Sequence, residues 1–233
     1  MSYFPFPYFH GNEKSREYIE SVAERFADSK HPGPVDIELN AEKNGYIMDY
    51  NMLSNNGCYL GMAVFETTNN IPVYDEDGNC ARYYAAKKGT IIIDSRLLAK
   101  GNENRYRFTI GHEIGHLVLH SDIYADCSYS LSEEDNSVLC RTNYQKLKPE
   151  DRKVVDHLEI EANWFAAAVL MPKTAFLEFV SNYGSIADNI VAFVDDAAKT
   201  FIVSPHAVCL RLHELNIMDL SYETYREMKR SAA

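Results

Sequence analysis

The segment His112-Glu113-Ile114-Gly115-His116 sets two imidazoles four residues apart, with a carboxylate directly after the first. On an α-helix that spacing stacks both rings on one face, one turn apart, so both can reach a single ion. Glu113 is rotated about 100° from His112, which lets it take a proton from a water near the ion without ligating it. This division of labour is what hydrolysis at zinc requires. A core helix with hydrogen-bonded histidines would account for one such residue. The pair with its glutamate, inside the regular apolar run "TIGHEIGHLVLH" of a chain with eight histidines, points to a metal.

A catalytic zinc site needs a third protein ligand and an open position. His120 continues the four-residue series, but it lies about 12 Å along the axis from His112, so it is read as supporting rather than ligating. The extension H-E-x-x-H-x-x-G-x-x-H is excluded, because Leu119 and Asp122 stand where it needs glycine and histidine. The third ligand must come from another element, and "DHLEIEANWFAAAVLMP" is the best candidate. At 100° per residue its apolar stripe centres near Leu158, Ala162, Phe165 and Val169, with Glu159 on one flank and Glu161 on the other. Periodicity alone does not choose between them. His157 lies one turn before Glu161 and is placed to orient it.

Positioning these groups takes a scaffold. Period-two patterns at Tyr46 to Tyr50, Cys58 to Phe65, Ile71 to Tyr74 and Thr90 to Asp94 read as strands separated by "LSNNG", "TTNN" and "DEDGN". A helical segment from Glu13 to Ala27 and a short helix within "HPGPVDIELNAEKNGY" precede them. From Arg105 the period changes to about 3.6, with helices expected over 105–120, 151–170, 173–182, 188–201, 205–215 and 222–229. Strands followed by helices indicate an α+β fold around a small, mainly antiparallel sheet. The two glycines of the metal helix, Gly111 and Gly115, imply a close neighbour such as a crossing strand. The polar stretch 121–150 is too long for an ordinary connection and is expected to act as a gate over the site. An exposed strand edge would offer an extended peptide its backbone partners.

"RFTIGHEIGHLVLH" followed by "EIEANWFAAAVLMP" resembles the two signature segments of the ImmA/IrrE family of metallopeptidases, relatives of the gluzincins. The similarity continues through "GPVDIELNAEKNGY", "GTIIID" and "VSPHAVCLRLHEL" and so covers most of the chain; the stretch 121–150 departs from it. The resemblance implies zincin-type active-site helices packed on the sheet and a zinc ion held by His112, His116 and Glu161, the glutamate directly before Ala-Asn. Glu113 would be the base, with His120 and His157 in support. It also implies a regulatory protease that cuts a helix-turn-helix (XRE-type) transcriptional repressor, as in phage, mobile-element or stress circuits. The competing reading is a non-catalytic, metal-stabilised interaction or DNA-binding regulator, against which the presence of Glu113 argues. The expected organisation is a metallopeptidase domain over 1–185 and a C-terminal helical, helix-turn-helix-like module over 186–233.

Composition narrows the classes further. At 233 residues and 46% hydrophobic content the chain can bury a substantial core. A net charge of −11 lacks the positive field behind non-specific nucleic-acid affinity, and from Asp188 onward seven acidic residues face five basic ones. Direct DNA binding is therefore not expected. Five scattered cysteines, never as C-x-x-C, suit reduced thiols and give no second zinc site. No basic start precedes a long apolar run, so a soluble, cytoplasmic protein is expected. The aromatic N-terminal arm "YFPFPYF" is expected to pack on the domain or to dock a partner.

Overall fold

Helix starts are set by local chemistry. Ser15, Asp36, Asn189 and Ser204 each accept a hydrogen bond from the backbone N–H three residues on, a cap worth about 1 kcal/mol apiece. They open α1 (Arg16–Ala27), α2 (Ile37–Lys43), α6 (Ile190–Phe201) and α7 (Pro205–Glu214). The computed structural model describes residues 15–57, 59–75, 77, 80–127, 149–184, 186 and 188–231. The other strands and α-helices are β1 (Ile47–Asn51), β2 (Gly61–Ala63), β3 (Thr68–Tyr74), β4 (Cys80–Ala86), β5 (Thr90–Asp94), α3 (Glu103–Cys127), α4 (Pro149–Leu170), α5 (Lys173–Tyr183) and α8 (Tyr222–Ser231), with a 3-10 turn at Ser95–Leu98.

The fold is α+β, with small and mostly antiparallel sheets. In the three-stranded sheet, of order β1-β5-β2, β5 runs parallel to β1 and antiparallel to β2. A separate β3–β4 hairpin is antiparallel. Every residue of β5 is buried because both of its faces are covered, which is why "TIIID" reads as a continuous apolar run. Ile91 and Ile93 face the helices, whereas Ile92 joins Leu53, Met62, Val64, Ile71 and Val73 beneath the hairpin. Strand β4 was not expected from "CARYYAA", whose alanines and arginine carry little strand preference; pairing with β3 makes it a strand. The expected strand over 58–65 contracts to Gly61–Ala63.

Helix α3 runs past His120 to Cys127, so the start of the expected insertion is helical, and α4 begins at Pro149. The remainder of that stretch, with the gate expected there, and the aromatic arm lie outside the described residues. The apolar stripe read for α4 is observed: Leu158, Ala162, Phe165 and Val169 are each fully buried. The boundary expected at 185 falls between α5 and α6, where Phe176 packs on Phe201 with ring centroids 5.6 Å apart. Among the described residues no single helix is long and apolar enough to cross a membrane.

Candidate metal centre

Helices α3 and α4 cross as close antiparallel neighbours, and the glycines of α3 set the distance. A Cβ on Gly111 would lie 3.2 Å from the Ala166 Cα, and one on Gly115 would lie 3.2 Å from both Cα and O of Ala162. The close neighbour is thus a helix and not the strand expected. Pairing 111 with 166 and 115 with 162 fixes the register. Residues 159 and 163, one turn apart on α4, come to lie over His112 and His116. Residues 157 and 161 are one turn apart on a different face, and Glu161 comes to lie over His120.

The distances bear out this register. The Nε2 atoms of His112 and His116 are 3.0 Å apart. Glu159 brings Oε2 to 3.3 Å from His112 Nε2 and Oε1 to 3.5 Å from His116 Nε2. Ligands at 2.0–2.1 Å around a tetrahedral ion stand about 3.3 Å from one another, so these spacings fit one ion without rearrangement. Among the described residues this trio is the group able to hold a metal. His112 Nδ1 lies 3.0 Å from Asn163 Oδ1, which orients the ring.

Glu161, carried over above as the third ligand, is elsewhere. It is 1% exposed and faces away from the paired Nε2 atoms, with Oε2 2.9 Å from His120 Nε2 and Oε1 3.1 Å from His157 Nε2. The carboxylate that the structure brings beside the two imidazoles is instead that of Glu159, whose side chain is 22% exposed and opens on the cleft. The physical reason is rotation: two residues on a helix differ by about 200°, so Glu159 and Glu161 cannot share a target. His120 lies against both Glu161 and His116, and His157 against Glu161.

Electrostatics favour cation binding here. Burial pushes the Glu159 carboxyl up, but hydrogen bonds and charge from His112 and His116 overrule it and leave it far below the usual carboxylate range. Burial, with the imidazoles of His112 and His120 nearby, pushes His116 down to about 4, so its ring is neutral as a ligand must be. Burial also lowers His112, yet its bond to Glu159 and the charge of Glu113 outweigh that and raise it.

Glu113 is 7% exposed and borders the same cleft, of about 250 Å³, which Tyr59, Arg105 and Tyr124 also line. Its side chain rests against β2, where a Cβ on Gly61 would come within 2.6 Å of Glu113 Oε1. Among the described residues β2 pairs with β5 on one side only, and Gly61 and Ala63 line the cleft beside it. Sequence reasoning missed Asn163 and Gly61. For Asn163 the signal was its four-residue spacing from Glu159; Gly61 carries no signal until β2 is seen to cross α3.

The peptidase M78 family model, described as the IrrE N-terminal-like domain, matches residues 59–213, about two-thirds of the chain. The chain belongs to the M78 peptidase family. The match runs from just before β2 to His213 in the last turn of α7, so it takes in the cleft, the helices α3 and α4 that carry His112, His116 and Glu159, and the helical pair α6–α7. Membership carries a metallopeptidase-type function and agrees with the resemblance read from the two signature segments. No curated protein matches the chain.

Proposed function

We propose that this M78 protein is a zinc-dependent endopeptidase in which His112, His116 and Glu159 hold the ion and Glu113 is the general base. One observation carries the reading: two imidazole nitrogens and a carboxylate converge at tetrahedral spacing beside a buried glutamate in a single cleft. Two histidines and one glutamate form a known catalytic zinc set. When bound, such an ion polarises a carbonyl and brings the pKa of a water to about 7.

The chain's own residues supply the rest. Glu113 takes the proton of the attacking water and returns it to the leaving amine. Asn163 holds the His112 ring, and Glu159 is already ionised. The outer edge of β2 accepts an extended peptide by backbone pairing, which lays the scissile bond across the cleft. Tyr59, Tyr124 and Arg105 are among the polar residues that line the cleft, and a developing oxyanion would be stabilised from among them.

The substrate reading is a helix-turn-helix transcriptional repressor, cut once in the cytoplasm. The net charge of −11 favours a basic partner. On α7 the outer face presents His206, Leu210 and His213, while Arg211, its single arginine, is fully buried; that supports protein docking over DNA reading. The test is incubation of the zinc-loaded protein with a repressor encoded beside its gene, followed by mass spectrometry. One discrete cut, lost in a Glu113→Gln variant that keeps its zinc, is expected. Undiminished cleavage by that variant would remove Glu113 from the mechanism, and broad digestion of unrelated proteins would remove the regulatory reading.

A further inference from the structure

Glu161 and His120 are buried, charged or polar, and unused by the chemistry above. Glu161 Oε2 lies 2.9 Å from His120 Nε2, and His120 Nδ1 lies 3.0 Å from His116 Nδ1. His120 is fully buried and Glu161 is 1% exposed, so water does not compete for these contacts. The far oxygen of Glu161 is held 3.1 Å from His157 Nε2. The result is an unbroken line: carboxylate, imidazole, imidazole, and then the nitrogen that faces Glu159.

We infer that Glu161, acting through His120, is a positioning residue that orients His116 as a metal ligand and strengthens it. The inference rests on the reading that His112, His116 and Glu159 hold the ion. An ionised carboxylate only accepts, so His120 donates to it from Nε2–H, and the neutral ring then presents a bare Nδ1. That Nδ1 can only accept, so His116 must donate from its own Nδ1, and its lone pair is then on Nε2, at the ion. The polarity of the whole line follows from the anion at one end and the ion, which needs a bare His116 Nε2, at the other. Donation toward a negative charge raises the basicity of the ligating nitrogen, and a relayed anion does so without adding a fourth protein ligand that would close the open position.

The two histidine ligands are therefore held unequally. His112 leans on a neutral amide, Asn163 Oδ1 at 3.0 Å, whereas His116 leans on a buried carboxylate one imidazole away. This also explains why a second glutamate lies so near the site yet is turned from it. It is the counter-anion of the ligand.

Nuclear magnetic resonance of the zinc-loaded, ¹⁵N-labelled full chain tests the arrangement directly. The expected result is His120 with its proton on Nε2 and a scalar coupling across the His116 Nδ1–H···Nδ1 His120 hydrogen bond. A His120 proton on Nδ1 would overturn the inference without any variant. In parallel, zinc Kd is measured by chelator competition. Glu161→Gln, whose amide can donate as well as accept, should raise Kd roughly 10–100-fold while still binding one zinc per chain. Asn163→Ala should leave the His116–His120 coupling intact. An unchanged Kd in Glu161→Gln would sink the relay alone and leave the ligand set standing. Loss of all tight zinc in Glu161→Gln, with full occupancy in Glu159→Gln, would make Glu161 the ligand and overturn both readings.

Discussion

Replacing Gly61 with alanine should disarm Glu113 while leaving the metal in place. Gly61 has no left-handed backbone to protect, so alanine fits the strand itself. Its Cβ, however, would lie 2.6 Å from Glu113 Oε1, 2.6 Å from Thr109 Cγ2 and 2.8 Å from Glu113 Cγ. Carbon contacts settle at about 3.5–4.0 Å, so the carboxylate must retreat by about 1 Å. Strand β2 is pinned by its pairing with β5, Gly61 opposite Ile93, which makes the Glu113 side chain the part that yields. A shift of about 1 Å in a catalytic group costs on the order of 10²-fold in rate. The atoms nearest a Cβ at Gly61 belong to Glu113 and Thr109 and not to the three metal-facing side chains, so zinc content should hold at one per chain. The assay is kcat/KM on a proven peptide substrate alongside metal analysis and thermal melting. Undiminished turnover would refute the placement of Glu113 against β2, and parallel loss of zinc would show that β2 supports the ligands instead.

Other parts of the molecule give independent tests. In Gly115→Ala, the new Cβ would lie 3.2 Å from Ala162 backbone atoms. Overpacking of about 1–3 kcal/mol should exceed the helix-propensity gain of about 1 kcal/mol, giving a lower Tm and weaker zinc binding; a higher Tm would contradict the α3–α4 contact. Arg211 is fully buried, donates to the Met171 carbonyl at 3.0 Å and pairs with Glu20 at 2.8 Å. Arg211→Met should cost about 3 kcal/mol, read as a fall in the urea midpoint at unchanged slope. Hydrogen bonds from Arg96 and from the Leu53 and Arg96 backbone amides overcome burial and hold Asp94 below the usual carboxylate range. Its stabilisation is therefore complete above the unfolded value of about 3.9 and is lost as pH falls through the lower folded value. Asp94→Asn should accordingly lower stability at neutral pH and flatten the acid limb of the stability profile.

Much of this was legible because periodicity and burial agree. The β5 run and the α4 stripe were readable since the residues that form each apolar pattern are the ones buried. The pair His112 and His116 was readable because both lie on one helix, where spacing alone sets their geometry. The carboxylate that joins them was not, because it depends on how a second helix is rotated against the first. That rotation is set by Gly111 and Gly115 meeting Ala166 and Ala162, a pairing that no single-helix wheel contains. With the register in hand, Glu159 and Asn163 form one face and His157 and Glu161 another. Strand β4 escaped notice for a similar reason, since its partner rather than its residues makes it a strand.

The most direct test of the account is a crystal structure of the zinc-soaked protein with anomalous data collected on both sides of the zinc absorption edge. The account requires one strong peak bounded by His112 Nε2, His116 Nε2 and the Glu159 carboxylate, on the cleft side of α3 within reach of Glu113. A peak beside Glu161 and His120, or none at all with the three side chains as they stand here, would contradict it.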